Sequence, residues 1–334
     1  MKKEEIDKLI DAGKFPGDAG RPDLIETHIS WVILSKQFVY KIKKPIRYSF
    51  LDFSTVEKRK YYCEREIELN KRLTDDIYLD VLPIKEKSGS IFIGNDEGEI
   101  IDYTVRMKKV DRNLQMDLLL QKNKVAHTDI QNLARKIADF HIKAEVIYQT
   151  DLQDIQNKFN DLGTEMDFLS QHLNSESSRI IKRAISFSDH FIQHNISLLA
   201  GRQKAGYIRD CHGDLHCRNI FLLPDPQPFD CIEFNDDYRR IDVLNEVAFL
   251  CMDLDAFGRQ DLSELFLGYY NDFFPAMNTE EDRKLFIYYK SYRANVRAKV
   301  NSLRARSAPN DQGKMLTLAE VKKYLRLMDS YIRL

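Results

Sequence analysis

An aspartate and an asparagine lie five residues apart in a short polar segment that precedes an apolar stretch. The segment reads HGDLHCRN, with Asp214 third and Asn219 last, and the apolar residues 220–223 follow it. A carboxylate can accept a proton from a hydroxyl group, and an amide oxygen a few residues later can hold a magnesium ion that bridges phosphates. The alternative is that both residues only build a turn before a strand.

A second pair of acids, Asp230 and Glu233, follows in the segment FDCIEF. The segment is predicted to be the second strand of a hairpin that starts at residues 220–223, with a proline-rich turn between them. Alternation along a strand would place the two carboxylates on opposite faces. One of them would then join Asn219 at the metal and the other would meet solvent, and the pattern leaves the choice open.

The spacing of Asp214 and Asn219 resembles the catalytic loop of kinases, in the H-G-D-x-x-x-x-N form of the aminoglycoside phosphotransferase-like family. The segments YKIKKP, SFLDFST, FDCIEFND and YRANVRAK resemble an uncharacterised bacterial subgroup of that family. The resemblance implies an α+β, two-lobed protein-kinase-like fold with a small antiparallel-sheet N-lobe, one main helix there, and a larger helical C-lobe. It also implies that ATP or GTP binds between the lobes with Mg²⁺, and that Asp214 is the catalytic base.

The resemblance assigns further residues to nucleotide and metal. It implies that a strand lysine, Lys41, neutralises the nucleotide phosphates and that a glutamate of the neighbouring helix holds this lysine. Glu66 is the first choice for this glutamate and Glu64 the second. Alignment of the family's Ile-Asp pair with the Ile-Glu step of this sequence favours Glu233 as the metal ligand. The identity of the residue, an aspartate, favours Asp230 instead. The residues assigned to the nucleotide are Lys41, Glu66, the backbone near Met107, and His216; those assigned to the metal are Asn219 with Glu233 or Asp230.

The order of predicted elements agrees with that resemblance. Residues 1–106 are predicted to form the N-lobe, 107–113 a hinge and 114–334 the C-lobe, which would carry the acceptor pocket. Listed in order, the expected elements are a helix over 3–13 stopped by a cluster of Gly and Pro residues, strands over 28–34 and 38–44, a helix over 54–73 with a capping box of Ser54 and Glu57, strands over 80–86, 90–94 and 99–107, a helix capped by Thr128 or Asp129, one or two helices over 151–200, and helices beyond 241.

The first predicted hairpin carries no glycine between residues 29 and 40, where the resemblance would place a phosphate-covering loop. This departure argues against a typical protein kinase. Together with Glu233 at a position where the family usually has Asp, it leaves a second hypothesis open. The chain would then be a catalytically weak or inactive kinase-like module that binds nucleotide and has a regulatory function.

Composition narrows the class of protein. The 334 residues carry 51 Lys and Arg against 52 Asp and Glu, so no overall positive field attracts nucleic acid or anionic lipid. No apolar run is long enough for a membrane helix, and no export signal is visible, so the sequence predicts a cytoplasmic protein. The five cysteines are expected to be reduced thiols. The acceptor is expected to be a small molecule, and the pattern does not indicate an oligomeric state.

The sequence contains two other clusters of reactive or charged side chains. Cys211, His212, His216 and Cys217 could be read as a zinc site, but adjacent Cys-His donors cannot easily reach one ion together. The segment 290–306 carries six basic residues and no acid. Arg293 and Arg297 could form an anion site over the acceptor pocket, whereas the ordinary alternative is a solvated helix face.

Overall fold

The computed structural model describes residues 1–12, 15–17, 20–48, 50–94, 96–308 and 310–333. The chain forms two compact units: Met1–Leu118 with Asn219–Leu223 and Gln227–Tyr238, and Leu119–Arg218 with Pro224–Pro226 and Arg239–Leu334. Gly13 of the predicted helix stop, and Ser49 of the segment SFLDFST, lie outside the described residues. The predicted limits of lobes and hinge stay predictions.

The first unit contains a six-stranded antiparallel sheet. Its strands are β1 (Asp23–Glu26), β2 (Ser30–Leu34), β3 (Phe38–Lys43), β6 (Tyr78–Lys87), β7 (Ser90–Ile93) and β8 (Glu99–Lys108), in the order β1-β2-β3-β8-β6-β7. A small hairpin, β4 (Arg47–Tyr48) with β5 (Leu51–Asp52), follows β3. Two helices belong to the unit, α1 (Lys3–Ala12) and α2 (Val56–Asn70).

Apolar residues of the sheet and helices form two buried clusters. Helix α1 contributes Ile6 and Leu9 to the first, which also contains Ile33 and Tyr40 of the sheet. The second cluster joins Cys63 of α2 to strand residues and to the segment 219–238. Its members are Cys63, Ile77, Tyr78, Val105 and Met107, with Val39, Ile67, Val81, Tyr103, Val110, Phe221 and Phe229 packed against them.

The predicted hairpin of residues 28–34 and 38–44 is confirmed as β2–β3, but an additional strand, β1, precedes it. Strand β1 was not predicted because its sequence, DLIE, is mostly exposed at the sheet edge and lacks an apolar alternation. The hairpin that starts the sheet is therefore β1–β2, and it turns at residues 27–29, where the Thr27 hydroxyl bonds to Ser30. This turn also contains no glycine, so the departure from the family pattern remains.

The predicted capping box of α2 is wrong. The N-cap is Thr55, whose side chain accepts the N–H of Lys58, while the Ser54 hydroxyl donates to Asp52 instead. The helix ends at Asn70 rather than Leu73, because the next residues form a turn in which Leu73 and Thr74 bond back to Asn70.

The segment after the predicted catalytic loop is less regular than predicted. Strands β10 (Ile220–Phe221) and β11 (Gln227–Pro228) pair as a short hairpin, and no strand continues beyond Pro228 in the described segment 229–238. Asp230 has a left-handed backbone, with φ +63°. The predicted alternation of Asp230 and Glu233 along a strand is therefore wrong, because a left-handed residue breaks the two-residue period.

The second unit is mainly helical. Its helices are α4 (His127–Lys143), α5 (Asp154–Asn160), α6 (Met166–His172), α7 (Ser175–Lys204), α8 (Val243–Ala256), α9 (Gln260–Phe273), α10 (Glu280–Arg306) and α11 (Asp311–Ile332), and α3 (Met116–Gln121) spans the boundary between the units. Strands β9 (Ile208–Asp210) and β12 (Arg240–Asp242) pair antiparallel beside the loop that contains Asp214. Among the described residues, no helix combines the length and apolar character needed to cross a membrane.

Helix α4 begins earlier than predicted. Its N-cap is Ala126, and Asp129, which was a predicted cap, lies three residues into the helix and accepts the N–H of Ala126 at 2.8 Å. The predicted buried face of this helix is confirmed. Ile130, Leu133, Ile137, Phe140 and His141 are all buried.

Candidate active site

Two lysines of β3 point to the same side of the sheet and meet the same glutamate. The Lys41 ammonium lies 2.8 Å from Glu66 Oε1, and the Lys43 ammonium lies 2.7 Å from Glu66 Oε2. Residues two apart on a strand share a face, which explains why both reach α2. The predicted pair of Lys41 and Glu66 is thus present. The other candidate, Glu64, is exposed and pairs with Lys60.

The two acids of the segment 229–238 complete this network. Lys41 also lies 2.5 Å from Asp230 Oδ1, and Lys43 contacts Glu233. We call Lys41, Lys43, Glu66, Asp230 and Glu233 the lysine–carboxylate network. Asp230 keeps 44% of its side chain exposed, whereas Glu233 keeps 4% and Lys43 none. A cation from solvent can therefore reach Asp230 far more easily than Glu233.

The network has one carboxylate more than it has ammonium groups. Burial alone would lower the pKa of Lys41, but Asp230 and Glu66 raise it well above its ordinary value. Burial alone would raise the pKa of Glu66, and the two lysines hold it below its ordinary value. For Glu233 the pKa is raised, first by burial and then by the nearby Glu66. The excess negative charge is what a divalent cation would neutralise.

Three contacts fix the position of Asp230. Its N–H donates to the Tyr78 hydroxyl at 3.1 Å, and the N–H of the following Cys231 donates to Asn70 Oδ1 at 2.9 Å. The N–H of Phe229 donates to the Asn219 carbonyl at 2.8 Å, so the backbone of the predicted metal ligand Asn219 adjoins the residue before Asp230. An amide and a carboxylate supply hard oxygen donors, which fit Mg²⁺.

Met107 lies inside the sheet. It pairs with Val39 on one side and Tyr78 on the other, and the amides of Lys108 and Lys109 already donate to backbone carbonyls. The backbone donors nearest to Met107 on its C-terminal side are thus engaged, because β8 runs one residue further than predicted and the amide of the next residue is also bonded. The predicted contact of a nucleotide base near Met107 stays a prediction.

In the second unit, the backbone of the predicted catalytic loop is held at both ends. Glu246 of α8 accepts the N–H of His212 at 2.9 Å and that of Gly213 at 2.6 Å. Arg293 of α10 donates to the Gly213 carbonyl at 3.1 Å. At the other end, Asp253 of α8 accepts the N–H of Cys217 at 3.0 Å. Gly213 has φ +86°, a backbone conformation that favours glycine.

Asp214 lies between two histidines that share its loop. The Asp214 N–H donates to His212 Nδ1 at 3.2 Å, and His216 Nε2 lies 3.4 Å from Asp214 Oδ2. Because His216 Nδ1 accepts the N–H of Arg218 at 3.2 Å, the hydrogen on Nε2 faces Asp214. Burial alone would raise the pKa of Asp214, but His216, Arg297 and His212 hold it below its ordinary value. The carboxylate is thus ionised and able to accept a proton at neutral pH.

The zinc alternative receives no support from the geometry. Among the described residues, the group with metal-ligand spacing is His141, Cys211 and Glu246, rather than Cys211, His212, His216 and Cys217. Both ring nitrogens of His141 are already engaged, with the Tyr270 hydroxyl at 2.7 Å and with Glu246 at 3.0 Å. These contacts explain the group as part of the support for the catalytic loop.

Sequence reasoning missed two residues of these sites. Lys43 was not singled out, although its spacing of two from Lys41 along a strand indicates that both side chains share a face. Asp253 was not singled out, because α8 is a largely apolar helix in which a buried acid has no recognisable spacing.

With this geometry established, comparison with known proteins identifies the fold. No known protein-family profile matches the chain. The protein shares its fold with a choline/ethanolamine kinase family protein of Mesorhizobium loti (TM-score 0.52, 12% identity, covering 100% of this chain and 99% of that one). It also shares it with an aminoglycoside phosphotransferase, APH(2″), in complex with GDP and kanamycin (TM-score 0.54, 13% identity, covering 99% and 98%). The predicted two-lobed protein-kinase-like fold, and the resemblance to aminoglycoside phosphotransferases at the level of the fold, are confirmed.

Sequence relatives extend further than this chain. Uncharacterised proteins of Mycobacterium bovis and Mycobacterium tuberculosis are each 31% identical to it over 321 residues, which is 93% of this chain. The chain spans about 60% of the length of these relatives.

The first prediction concerns Lys43. Replacing it by methionine leaves Glu66 and Glu233 buried without one of their cations, so we expect Lys43→Met to lower the free energy of unfolding by about 3–5 kcal/mol. The exposed Lys36→Met is the control and should change it by less than about 0.5 kcal/mol. Urea unfolding measures both.

The double variant Lys43→Met/Glu233→Gln refines this test. It removes the orphaned carboxylate together with the lysine, so we expect it to recover more than half of the loss. A Lys43→Met protein as stable as the parent would show that the buried pair does not hold the network together.

A second prediction concerns acid stability. The pKa of Glu246 is lowered to about 2, because its hydrogen bonds to His141 and to the loop amides outweigh the effect of burial. Stability from Glu246 is therefore fully present above the ordinary pKa near 4.5 and is lost as the pH falls towards 2. In Glu246→Gln we expect the slope of unfolding free energy against pH between 5 and 3 to fall by up to about 1.4 kcal/mol per pH unit.

The control for this experiment is the exposed Glu264→Gln, which should keep the slope of the parent. The measurement is a series of urea unfolding curves at pH 3 to 7. An acid limb that is the same in Glu246→Gln and in the parent would contradict the assigned role of Glu246.

Proposed function

We propose that the protein is an ATP- or GTP-dependent phosphotransferase that moves the γ-phosphoryl group to a hydroxyl of a small molecule. The observation that carries the proposal is the contact of Lys41 with both Glu66 and Asp230. A lysine held between a helix glutamate and an accessible aspartate is what kinases use at the nucleotide phosphates. The neighbours with this fold support the enzyme class, since they are kinases and phosphotransferases.

The first unit would bind the nucleotide. Lys41 keeps 12% of its side chain exposed, and its ammonium would contact the phosphates. Lys43 is fully buried, so its role would be to hold Glu66 and Glu233 in place. The apolar surface of Val39, Val110 and Phe221 would receive the base. GDP is bound in two solved structures of this fold, the kanamycin complex and a complex of aminoglycoside 2′-phosphotransferase-IIIa (TM-score 0.51, 13% identity, covering 97% and 98%).

Asn219 and Asp230 would hold Mg²⁺. Asp230 is preferred over Glu233 because Asp230 is partly exposed, whereas Glu233 is buried in an ion pair with Lys43. A bound magnesium ion would neutralise charge on the nucleotide phosphates. His216 is 5% exposed, and its Nε2 faces Asp214. The approach of His216 to the phosphates stays a prediction, and we propose in addition that His216 orients Asp214.

Asp214 of the second unit would act on the acceptor. Its carboxylate would take the proton of the acceptor hydroxyl while that oxygen forms a bond to the γ-phosphorus. The bond from the γ-phosphorus to the bridging oxygen would break, and the nucleoside diphosphate would leave. The clamp formed by Glu246, Arg293 and Asp253 would keep Asp214 in one position during this step.

A second candidate function is a catalytically weak or inactive nucleotide-binding regulatory module. The observation that favours it is the position of Glu233, which is buried against Lys43 where the family usually presents an aspartate to the metal. This candidate predicts nucleotide binding without phosphoryl transfer. The cytoplasmic location stays a prediction for either candidate.

The third prediction tests the base. In Asp214→Asn we expect transfer of labelled γ-phosphate, to a metabolite extract or to water, to fall by about 10²–10⁴-fold. Nucleotide affinity should stay within about twofold of the parent, because Asp214 stabilises the reacting state rather than the bound nucleotide. Asp272→Asn, at an exposed site of the same unit, is the control. Undiminished turnover in Asp214→Asn would show that another group takes the proton.

The fourth prediction tests the metal ligand with Mn²⁺ as a paramagnetic probe. With nucleotide present, Asp230→Asn should weaken Mn²⁺ binding, followed by electron paramagnetic resonance, by at least about tenfold, since one anionic oxygen is lost. Asparagine tolerates the left-handed backbone at this position, so the change should not strain the fold. The exposed Asp96→Asn is the control. If Glu233→Gln weakens Mn²⁺ binding and Asp230→Asn does not, Glu233 is the ligand.

A further inference from the structure

Helix α10 packs along the catalytic loop of the second unit. Its Arg293 reaches the Gly213 carbonyl, and the same guanidinium donates to Asn245 Oδ1 at 2.7 Å, so Arg293 is engaged in holding the loop. The predicted anion site cannot use this residue. The next arginines along the same side of the helix are Arg297 and Arg304. They are seven residues apart, which is two turns and about 10 Å on one face.

Arg297 brings the helix close to the other end of the loop. Its guanidinium lies 5.4 Å from the centre of the Tyr324 ring, and the Tyr324 hydroxyl donates at 3.0 Å to Asp253, which also binds the Cys217 amide. Arg297 is 5% exposed, and its Nε has no hydrogen-bond partner among the described residues. A buried guanidinium nitrogen without an acceptor is costly unless a ligand supplies one.

Arg304 and Arg218 add charge at the surface near Asp214. Both residues are exposed, and within the described residues no carboxylate pairs with the Arg304 guanidinium. Burial lowers the pKa of Arg304, the positive charges of Arg297 and Arg218 lower it further, and Asp214 opposes them. The charges of Arg297, Arg218 and Asp214 thus all act on the Arg304 guanidinium.

The other basic residues of α10 behave differently. Three of them form ion pairs inside the unit: Lys290 with Asp255, Lys299 with Asp161, and Arg306 with Glu165. A solvated helix face, the ordinary alternative from the sequence, therefore does not describe the segment. Arg304 differs from these three, because no carboxylate among the described residues forms an ion pair with its guanidinium.

We propose that the acceptor alcohol carries an anionic group, a phosphate or a carboxylate, which binds Arg218, Arg297 and Arg304 beside Asp214. This inference rests on the proposed function, because it needs Asp214 to be the base that serves the acceptor. Guanidinium groups suit both anions, since each can offer two parallel N–H donors. The anion would supply the acceptor that Arg297 Nε lacks and would offset the repulsion of Arg304 by Arg297 and Arg218.

Orthophosphate is the first probe. We expect it to raise the melting temperature of the full chain saturably, at an ionic strength held constant with sodium chloride, because it binds the folded state. Arg304→Gln and Arg218→Gln should each weaken the apparent phosphate affinity by at least about tenfold. The control is Arg283→Gln, at an exposed site of the same helix about 30 Å from Arg304, which should respond like the parent.

Two outcomes of this titration would overturn the inference. One is an equal response of Arg304→Gln and Arg283→Gln. The other is a phosphate effect that Lys41→Met abolishes and Arg304→Gln retains, which would place the anion at the nucleotide-phosphate site of the first unit.

Malonate is the second probe and stands for a carboxylate. The anion that gives an Arg304-dependent rise identifies the class of group on the acceptor, and if neither anion does so the inference is wrong. Binding of MgATP and MgGTP to the same variants separates this result from the proposed function. If the parent binds no nucleotide, the proposed function fails; if it binds nucleotide but neither anion shows dependence on Arg304, only the present inference fails.

Discussion

The buried lysine–carboxylate network is the constraint on which the rest of the first unit depends. Lys43 and Glu66 are fully buried, so each charge is tolerable only because the other lies beside it. The network ties β3 to α2 and to the segment 229–238 through direct ion pairs. It thereby leaves one lysine and one aspartate partly exposed in fixed positions. A rigid set of charges is a good partner for phosphates, because little reorganisation is needed on binding.

The charges near the candidate sites of the two units have opposite signs. The network of the first unit has an excess carboxylate, which suits a divalent cation, whereas the catalytic loop of the second is bordered by arginines, which suit an anion. Backbone hydrogen bonds do the positioning in both. Glu246, Arg293 and Asp253 hold the loop of Asp214, while Tyr78 and Asn70 hold the segment of Asp230. The chemistry we propose therefore depends on buried polar residues that never touch the reactants.

Much of this could be predicted from the sequence, and the failures have physical causes. The pattern of apolar residues gave the sheet, the helix α2 and the buried face of α4, and family spacing led to Lys41, Glu66 and Asp214. The predicted N-caps of α2 and α4 are wrong for local reasons. The Ser54 hydroxyl bonds to Asp52 instead of capping α2, and the N-cap of α4 is Ala126, which has no capping side chain. The roles of Lys43 and Asp230 depend on a left-handed turn and on contacts across 190 and 189 residues, which no local pattern contains.

The central claim is that Lys41, fixed by Glu66 and Asp230, binds nucleotide phosphates. Calorimetric titration of the full chain with MgATP and MgGTP, in the parent and in Lys41→Met, tests it most directly. We predict that the parent binds at least one of the two nucleotides and that Lys41→Met weakens this binding by at least tenfold, about 1.4 kcal/mol. A folded parent that binds neither nucleotide, or a Lys41→Met protein that binds as tightly as the parent, would contradict the account.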